Sequence, residues 1–276
     1  MISQEDKAKA FEALHQSGCF VLPNPWDRGS ARILAGIGYK ALATTSAGFA
    51  RSTGVDDYNV TRDMVMSHAR ELCSATDLPM SADLENGFGH TPEDCAETIR
   101  QAAEAGLVGG SIEDFTGEPG KLYDIGLAKE RVAAAVEARK NLPFPFILTA
   151  RAENFFTGTP DLTDAIARLQ AYQDAGADCL YAPGLKTLED IRSVVTSVNK
   201  PVNVLLGPSS GHVPIAALAE VGVRRVSVGA VFANLAYGAM IKAAEELHGP
   251  GTFDFMGDLP GARLVDLLDK GTPQAG

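Results

Sequence analysis

The chain is short of positive charge, of aromatic side chains and of cysteine, and each shortage removes a class of explanation. It sets 24 Lys and Arg against 35 Asp and Glu, a net charge of −11, and the basic residues form no run. Nucleic acids and anionic membranes need local positive charge, so a small ligand is the expected partner. Its 4 cysteines, Cys19, Cys73, Cys95 and Cys179, form no C-x-x-C pair. A chain of this size does not depend on disulfides, and free thiols in a reducing compartment are expected. No apolar run is long enough to cross a bilayer, and the start, MISQEDKAKAFEAL, is a charged amphipathic helix without the basic and apolar regions of a signal peptide. A cytoplasmic protein is expected, and 276 residues at 45% hydrophobic content can bury one large core.

What is present is a regular alternation. Short β-branched or apolar runs at Cys19–Leu22, Ala41–Thr45, Met80–Asp83, Gly110–Glu113, Phe146–Ala150, Cys179–Ala182, Val202–Leu206 and Arg225–Val228 read as strands. Between them lie stretches of helical period: Ser30–Ile37, Arg62–Ala75, Pro92–Ala105, Gly126–Arg139, Leu162–Ala175, Leu188–Val198, Pro214–Val221 and Val231–Leu247. Eight such units predict an α/β fold, a single (β/α)8 TIM barrel over residues 1–248. Residues 249–276 follow as a C-terminal extension, a helical arm over Phe253–Leu268 suited to an oligomer or lid contact. Glycines at the ends of predicted helices (Gly36 and Gly38, Gly106, Gly176, Gly222) fit C-caps.

In such a barrel the active site lies at the C-terminal ends of the strands. Collecting residues there yields Asn24, the segment Thr45, Ser46, Ala47 and Gly48, then Asp83, Glu85, Glu113, Asp114, Arg151 and Glu153. The third strand is the most telling. It runs into Asp83-Leu84-Glu85-Asn86-Gly87-Phe88-Gly89, where two carboxylates, spaced to point the same way from an extended strand, suit a hard cation such as Mg²⁺. Arg151 at the same mouth suits an anionic substrate. Histidines His90 and His212 flank the mouth, each as a proton carrier or as an ordinary surface residue. Gly207-Pro208-Ser209-Ser210-Gly211 is a weak phosphate-loop signal.

These residues resemble the isocitrate lyase/phosphoenolpyruvate mutase superfamily from Leu22 to about Leu247. The family's D-x-D-x-G-x-G is matched by Asp83 to Gly89, its I-E-D by Ile112-Glu113-Asp114, and its A-R by Ala150-Arg151. The resemblance implies that Asp83 binds Mg²⁺ (or Mn²⁺) directly, with Glu85, Glu113 and Asp57, or Asp56 in its place, holding the surrounding water. It also implies that Thr45 to Gly48 receives the substrate carboxylate, and that the chain forms a homo-oligomer, typically a tetramer with an exchanged helix. One departure stands out: the loop Phe115–Asp124 lacks the cysteine that serves the lyase branch as acid and base. Tyr123, Lys121 and Glu118 are the alternative acids that the loop offers.

The activity implied is cleavage of a C–C bond in a small 2-oxo or 2-hydroxy di- or tricarboxylic acid through a metal-stabilised enolate. It would follow an oxaloacetate-type decarboxylation or an isocitrate-type lyase reaction, with Arg151 beside the developing negative charge. Loss of the loop cysteine favours decarboxylation, in which water delivers the last proton. The alternatives are a 2-oxo acid-binding protein with little turnover, and a phosphonopyruvate enzyme acting on a C–P bond.

Overall fold

The computed structural model describes residues 2–208 and 213–274. Its strands are β1 (Phe20–Leu22), β2 (Leu42–Ala43), β3 (Met80–Asp83), β4 (Gly109–Glu113), β5 (Ile147–Arg151), β6 (Cys179–Tyr181), β7 (Val202–Leu205) and β8 (Arg225–Ser227). They form one sheet in the order β1-β8-β7-β6-β5-β4-β3-β2, all parallel, and β8 returns to β1 with Phe20 opposite Arg225. The expected TIM barrel is the observed fold. The two ends of that order meet at a seam closed by Ala43 N–H donating to Pro23 O at 3.1 Å and by the buried Asn24. The Asn24 amide nitrogen donates to the carbonyls of Ala43 and Thr44, and its oxygen accepts from the N–H groups of Val228 and Gly229. One side chain thus ties β1, β2 and β8 together at the mouth.

Eleven α-helices and one short 3-10 helix (Asp254–Asp258) are seen among the described residues, the α-helices being α1 (Gln4–Leu14), α2 (Arg28–Ile37), α3 (Ser46–Thr53), α4 (Arg62–Ala75), α5 (Pro92–Glu104), α6 (Ile125–Lys140), α7 (Leu162–Ala175), α8 (Leu188–Ser197), α9 (Ile215–Glu220), α10 (Val231–His248) and α11 (Ala262–Lys270). Local chemistry explains several boundaries. Thr91 and Asp94 form a reciprocal capping box with Pro92 at the first turn of α5, and Asp161 accepts two N–H groups at the start of α7. Gly38 and Gly176 end α2 and α7 in the left-handed conformation, as the sequence suggests. Gly36 does something else. It lies inside α2, where a Cβ would fall 2.2 Å from the carbonyl oxygen of Leu267, so its bareness admits α11 against α2.

The expected second strand, Ala41–Thr45, is cut to two residues, because Thr45 already caps α3 by accepting the Gly48 N–H at 3.2 Å. α3 itself goes unforeseen; it is only eight residues long and begins directly after a segment that reads as strand. At the opposite end of the barrel, α1 plugs the opening, with Phe11 and Ala8 packed on Leu22, Val108, Ile147 and Cys179. α10 behaves differently from the other long helices. Ala233 is its one buried residue, and Leu235, Met240, Ile241 and Leu247 stand in solvent.

Candidate active site

A pocket of about 450 Å³ opens at the C-terminal ends of the strands. Asp83, the last residue of β3, is anchored by its own N–H, which donates to Thr44 Oγ1 at 3.0 Å, and its Oδ2 accepts from Ser46 Oγ at 3.0 Å. Arg151 ends β5 and is held by three carboxylates: Nη1 lies 2.8 Å from Asp83 Oδ1, Nη2 3.1 Å from Glu113 Oε2 and Nε 2.7 Å from Glu153 Oε1. Its guanidinium also rests 5.2 Å from the Tyr181 ring centroid. Held on every side, Arg151 presents a fixed charge, which is what an electrostatic catalyst requires.

Between the two aspartates that the sequence leaves open, the fold distinguishes clearly. Asp57 lines the pocket and shares Ser46 with Asp83, whereas Asp56 is exposed. Next to it comes a residue with no motif to announce it. Tyr58 has φ 65, a left-handed backbone that carries its ring over the pocket, and its hydroxyl donates to Glu113 Oε1 at 2.7 Å. Arg51 of α3 and Phe156, in the loop after β5, complete the rim.

Asp83 and Glu85 are not brought together by strand alternation. β3 stops at Asp83, and Glu85 turns left-handed with φ 48, its N–H donating to Asp83 Oδ1 at 3.3 Å. The turn, rather than strand alternation, keeps the buried Glu85 near Asp83. Asp114 points away from the mouth: it accepts from Tyr172 Oη at 2.6 Å, Arg168 Nη1 at 3.1 Å and the Glu153 N–H at 2.9 Å. That alternation with Glu113 is ordinary strand geometry, and it makes Asp114 a brace under Glu153.

The expected loop acids sit elsewhere. Tyr123 is not among the pocket-lining residues; its hydroxyl bonds His90 Nδ1 at 2.7 Å and its ring lies under Arg131. Lys121 and Glu118 pair with each other on the exposed surface. Thr45, Ser46 and Ala47 line the pocket as the cap and first turn of α3; there the Gly48 N–H is taken by Thr45 Oγ1 and the Ser46 N–H lies 3.5 Å from Asp83 Oδ2, while the Ala47 N–H has no partner within its own helix. Gly48 is buried instead; a Cβ there would strike Thr45 Cγ2 at 2.6 Å. Ser209, Ser210, Gly211 and His212 lie outside the described residues.

Five carboxylates (Asp57, Asp83, Glu85, Glu113 and Glu153) therefore gather near one bonded guanidinium; Asp57 and Asp83 line the pocket itself and the other three stand behind its wall. Burial raises the pKa of Glu85 to about 8, with the charges of Asp83 and Asp57 adding to it. Asp57 is raised by burial and then by Asp83, and Glu113 by burial that the Arg151 charge only partly offsets. Two buried oxygens, Asp57 Oδ1 and Glu85 Oε1, have no hydrogen-bond partner. Among the described residues no three His, Cys, Asp or Glu groups converge tightly enough to enclose an ion by themselves. The donor set, all oxygen with unused lone pairs, fits Mg²⁺, which takes one or two carboxylates and fills its other positions with water and substrate. No described helix is long and apolar enough to cross a membrane.

The phosphoenolpyruvate phosphomutase family model matches residues 11–248. A proposed lyase/mutase of Burkholderia cenocepacia has a structure that superimposes with a TM-score of 0.92 at 52% identity, covering 95% of each chain. Of the relatives with a named activity, the 2-methylisocitrate lyase of Salmonella typhimurium is 30% identical over 76% of this chain and 72% of its own. The oxaloacetate decarboxylase of Pseudomonas putida is 28% identical over 87% and 83%.

Proposed function

Because the chain belongs to the phosphoenolpyruvate mutase/isocitrate lyase superfamily and is a carbon–carbon lyase-type enzyme, we propose that it decarboxylates an oxaloacetate-like 2-oxo acid with Mg²⁺ or Mn²⁺. The observation that carries the metal is the excess of carboxylates over guanidinium at the mouth, with two buried oxygens still unpartnered. What favours decarboxylation over hydroxy-acid cleavage is the loop 115–124. Its three candidate acids are engaged away from the pocket, and loss of CO₂ is the outcome that needs no dedicated protein acid.

In this reading Asp83 would hold the cation, with Asp57, Glu85 and Glu113 holding its surrounding water. When bound, the cation would supply Lewis acidity. Thr45, Ser46 and Ala47 seat the adjoining carboxylate on the first turn of α3. Arg151 keeps a fixed positive charge beside the oxygen on which negative charge develops, and its three carboxylate partners prevent it from swinging away. Tyr58 positions Glu113 by donating to it.

Steady-state turnover of oxaloacetate, isocitrate-type acids and phosphonopyruvate, each with and without EDTA, tests this. Oxaloacetate should be consumed and EDTA should stop it. EDTA-sensitive turnover of an isocitrate-type acid alone would return the chain to the lyase reaction. Turnover of phosphonopyruvate alone would indicate C–P chemistry. Binding of oxalate with no product from any of them would mark a binding protein.

The uncovered apolar face of α10 supports a second copy of this chain as the protein partner, in a tetramer of the kind its resemblance implies. Light scattering on the wild type and on Leu235→Asp reads it: a monomeric wild type would refute the assembly.

A further inference from the structure

The barrel interior holds a second guanidinium that the proposed chemistry leaves unused. Such interiors are usually packed with branched apolar side chains. Here Ser81, Ser111, Asn203 and Arg225 line the deeper part of the pocket. Arg225, the first residue of β8, is 4% exposed. Nε donates to Asn203 Oδ1 at 2.9 Å, Nη2 donates to Thr149 Oγ1 at 2.8 Å, and Nη1 meets His15 Nε2 at 3.3 Å.

None of those partners is anionic. His15 is kept neutral, its pKa brought down to about 3 by burial and then by the Arg225 charge, and its Nδ1 bonds Phe11 O. Among the described residues no ion pair includes Arg225. A cation taken out of water is costly unless an opposite charge meets it, and arginine has five N–H donors, two more than these neighbours occupy. The contrast with Arg151, which has three carboxylates to itself, is plain.

Thr149 precedes Arg151 by two residues on β5, so the Arg225 guanidinium reaches the wall one layer, roughly 7 Å along the strand, below the Arg151 position. A 2-oxo acid seated at Asp83 and Arg151 with a second carboxylate two or three carbons away would bring that carboxylate towards this cation. We propose that Arg225 is the floor of the substrate site and takes the second carboxylate of a four- or five-carbon 2-oxo diacid. It thereby sets the preference for diacids over monoacids. This rests on reading the mouth as a 2-oxo acid site.

Calorimetric titration of the full-length protein with Mg²⁺ separates the two ideas. Oxalate reads the mouth alone; 2-oxoglutarate and 2-oxopentanoate have chains of equal length and differ in the far carboxylate. The wild type should bind 2-oxoglutarate about tenfold or more tightly than 2-oxopentanoate, the worth of one charge-assisted bond. Arg225→Gln should erase that ratio, with the loss confined to the diacid. His15→Gln, which cuts the link to α1 but keeps the cation, should preserve it. Equal affinity for both acids in the wild type would overturn the proposal, as would a ratio that survives in Arg225→Gln. A uniform loss for all three ligands would also overturn it, showing that Arg225 only ties α1 to the barrel. Failure of oxalate to bind the wild type would remove the mouth reading, and this inference with it.

Discussion

Arg151 Nη1 stands 2.8 Å from Asp83 Oδ1, although β5 and β3 are not neighbours. The strand between them, β4, contributes Glu113 to the same guanidinium, so one arginine ties three consecutive strands at the mouth. Asp83 thus has three partners, Arg151 and the Glu85 N–H on Oδ1 and Ser46 on Oδ2. In Asp83→Ala, Mg²⁺ affinity should disappear and turnover with it. The barrel should survive, because Glu113 and Glu153 still compensate Arg151. Mg²⁺ titration followed by circular dichroism checks both halves, and unchanged Mg²⁺ affinity would sink the assignment of the site.

Tyr58 reaches Glu113 from the segment between α3 and α4. Removing the hydroxyl leaves the ring against Phe115, where the two meet edge to face at 5.0 Å, but takes the donor from the buried Glu113 Oε1, so the fold loses about 1–3 kcal/mol. Tyr58→Phe should lower kcat and bring a modest fall in the unfolding midpoint. A fall in stability with normal kcat would show that the hydroxyl serves the fold instead.

Asp114 offers the opposite case. It is buried, and its carboxylate is met by Arg168, Tyr172 and the Glu153 N–H. Breaking a buried pair from one side is expensive, so Asp114→Ala should cost about 3 kcal/mol or more in urea unfolding. A loss no larger than that of a surface substitution would contradict the brace.

His15 gives the fold a pH dependence with a definite sign. Its folded pKa, brought down to about 3 by burial and then by Arg225, lies below the ordinary value of 6.5. The unfolded chain therefore takes up a proton that the folded chain refuses. The contribution to stability is whole above about pH 6.5 and drains away as the pH falls towards 3. Urea midpoints measured across that window should fall less steeply for His15→Gln than for the wild type; parallel curves would disprove it.

Much of this is legible in the amino-acid sequence. Alternation of short apolar runs with helical stretches determined the barrel, since eight βα units with right-handed crossovers leave few other closures. The strand ends then placed Asp83, Glu113 and Arg151 at one mouth, because in a parallel barrel all C-termini face the same way. Sequence also determined the missing cysteine of the 115–124 loop. It did not determine where that loop's acids go, which depends on Tyr123 finding His90 and Arg131 across the fold. Three things were decided by tertiary structure alone. Asp57 faces the pocket where Asp56 does not, and Glu85 turns back through a left-handed residue that no period can forecast. Tyr58 and Arg225 join the pocket from the α3–α4 connection and the start of β8. The physical reason is common to all three. Periodicity reports the direction of a side chain within one regular element, whereas these residues act where an element has ended or where the closed barrel brings distant strands around a shared interior.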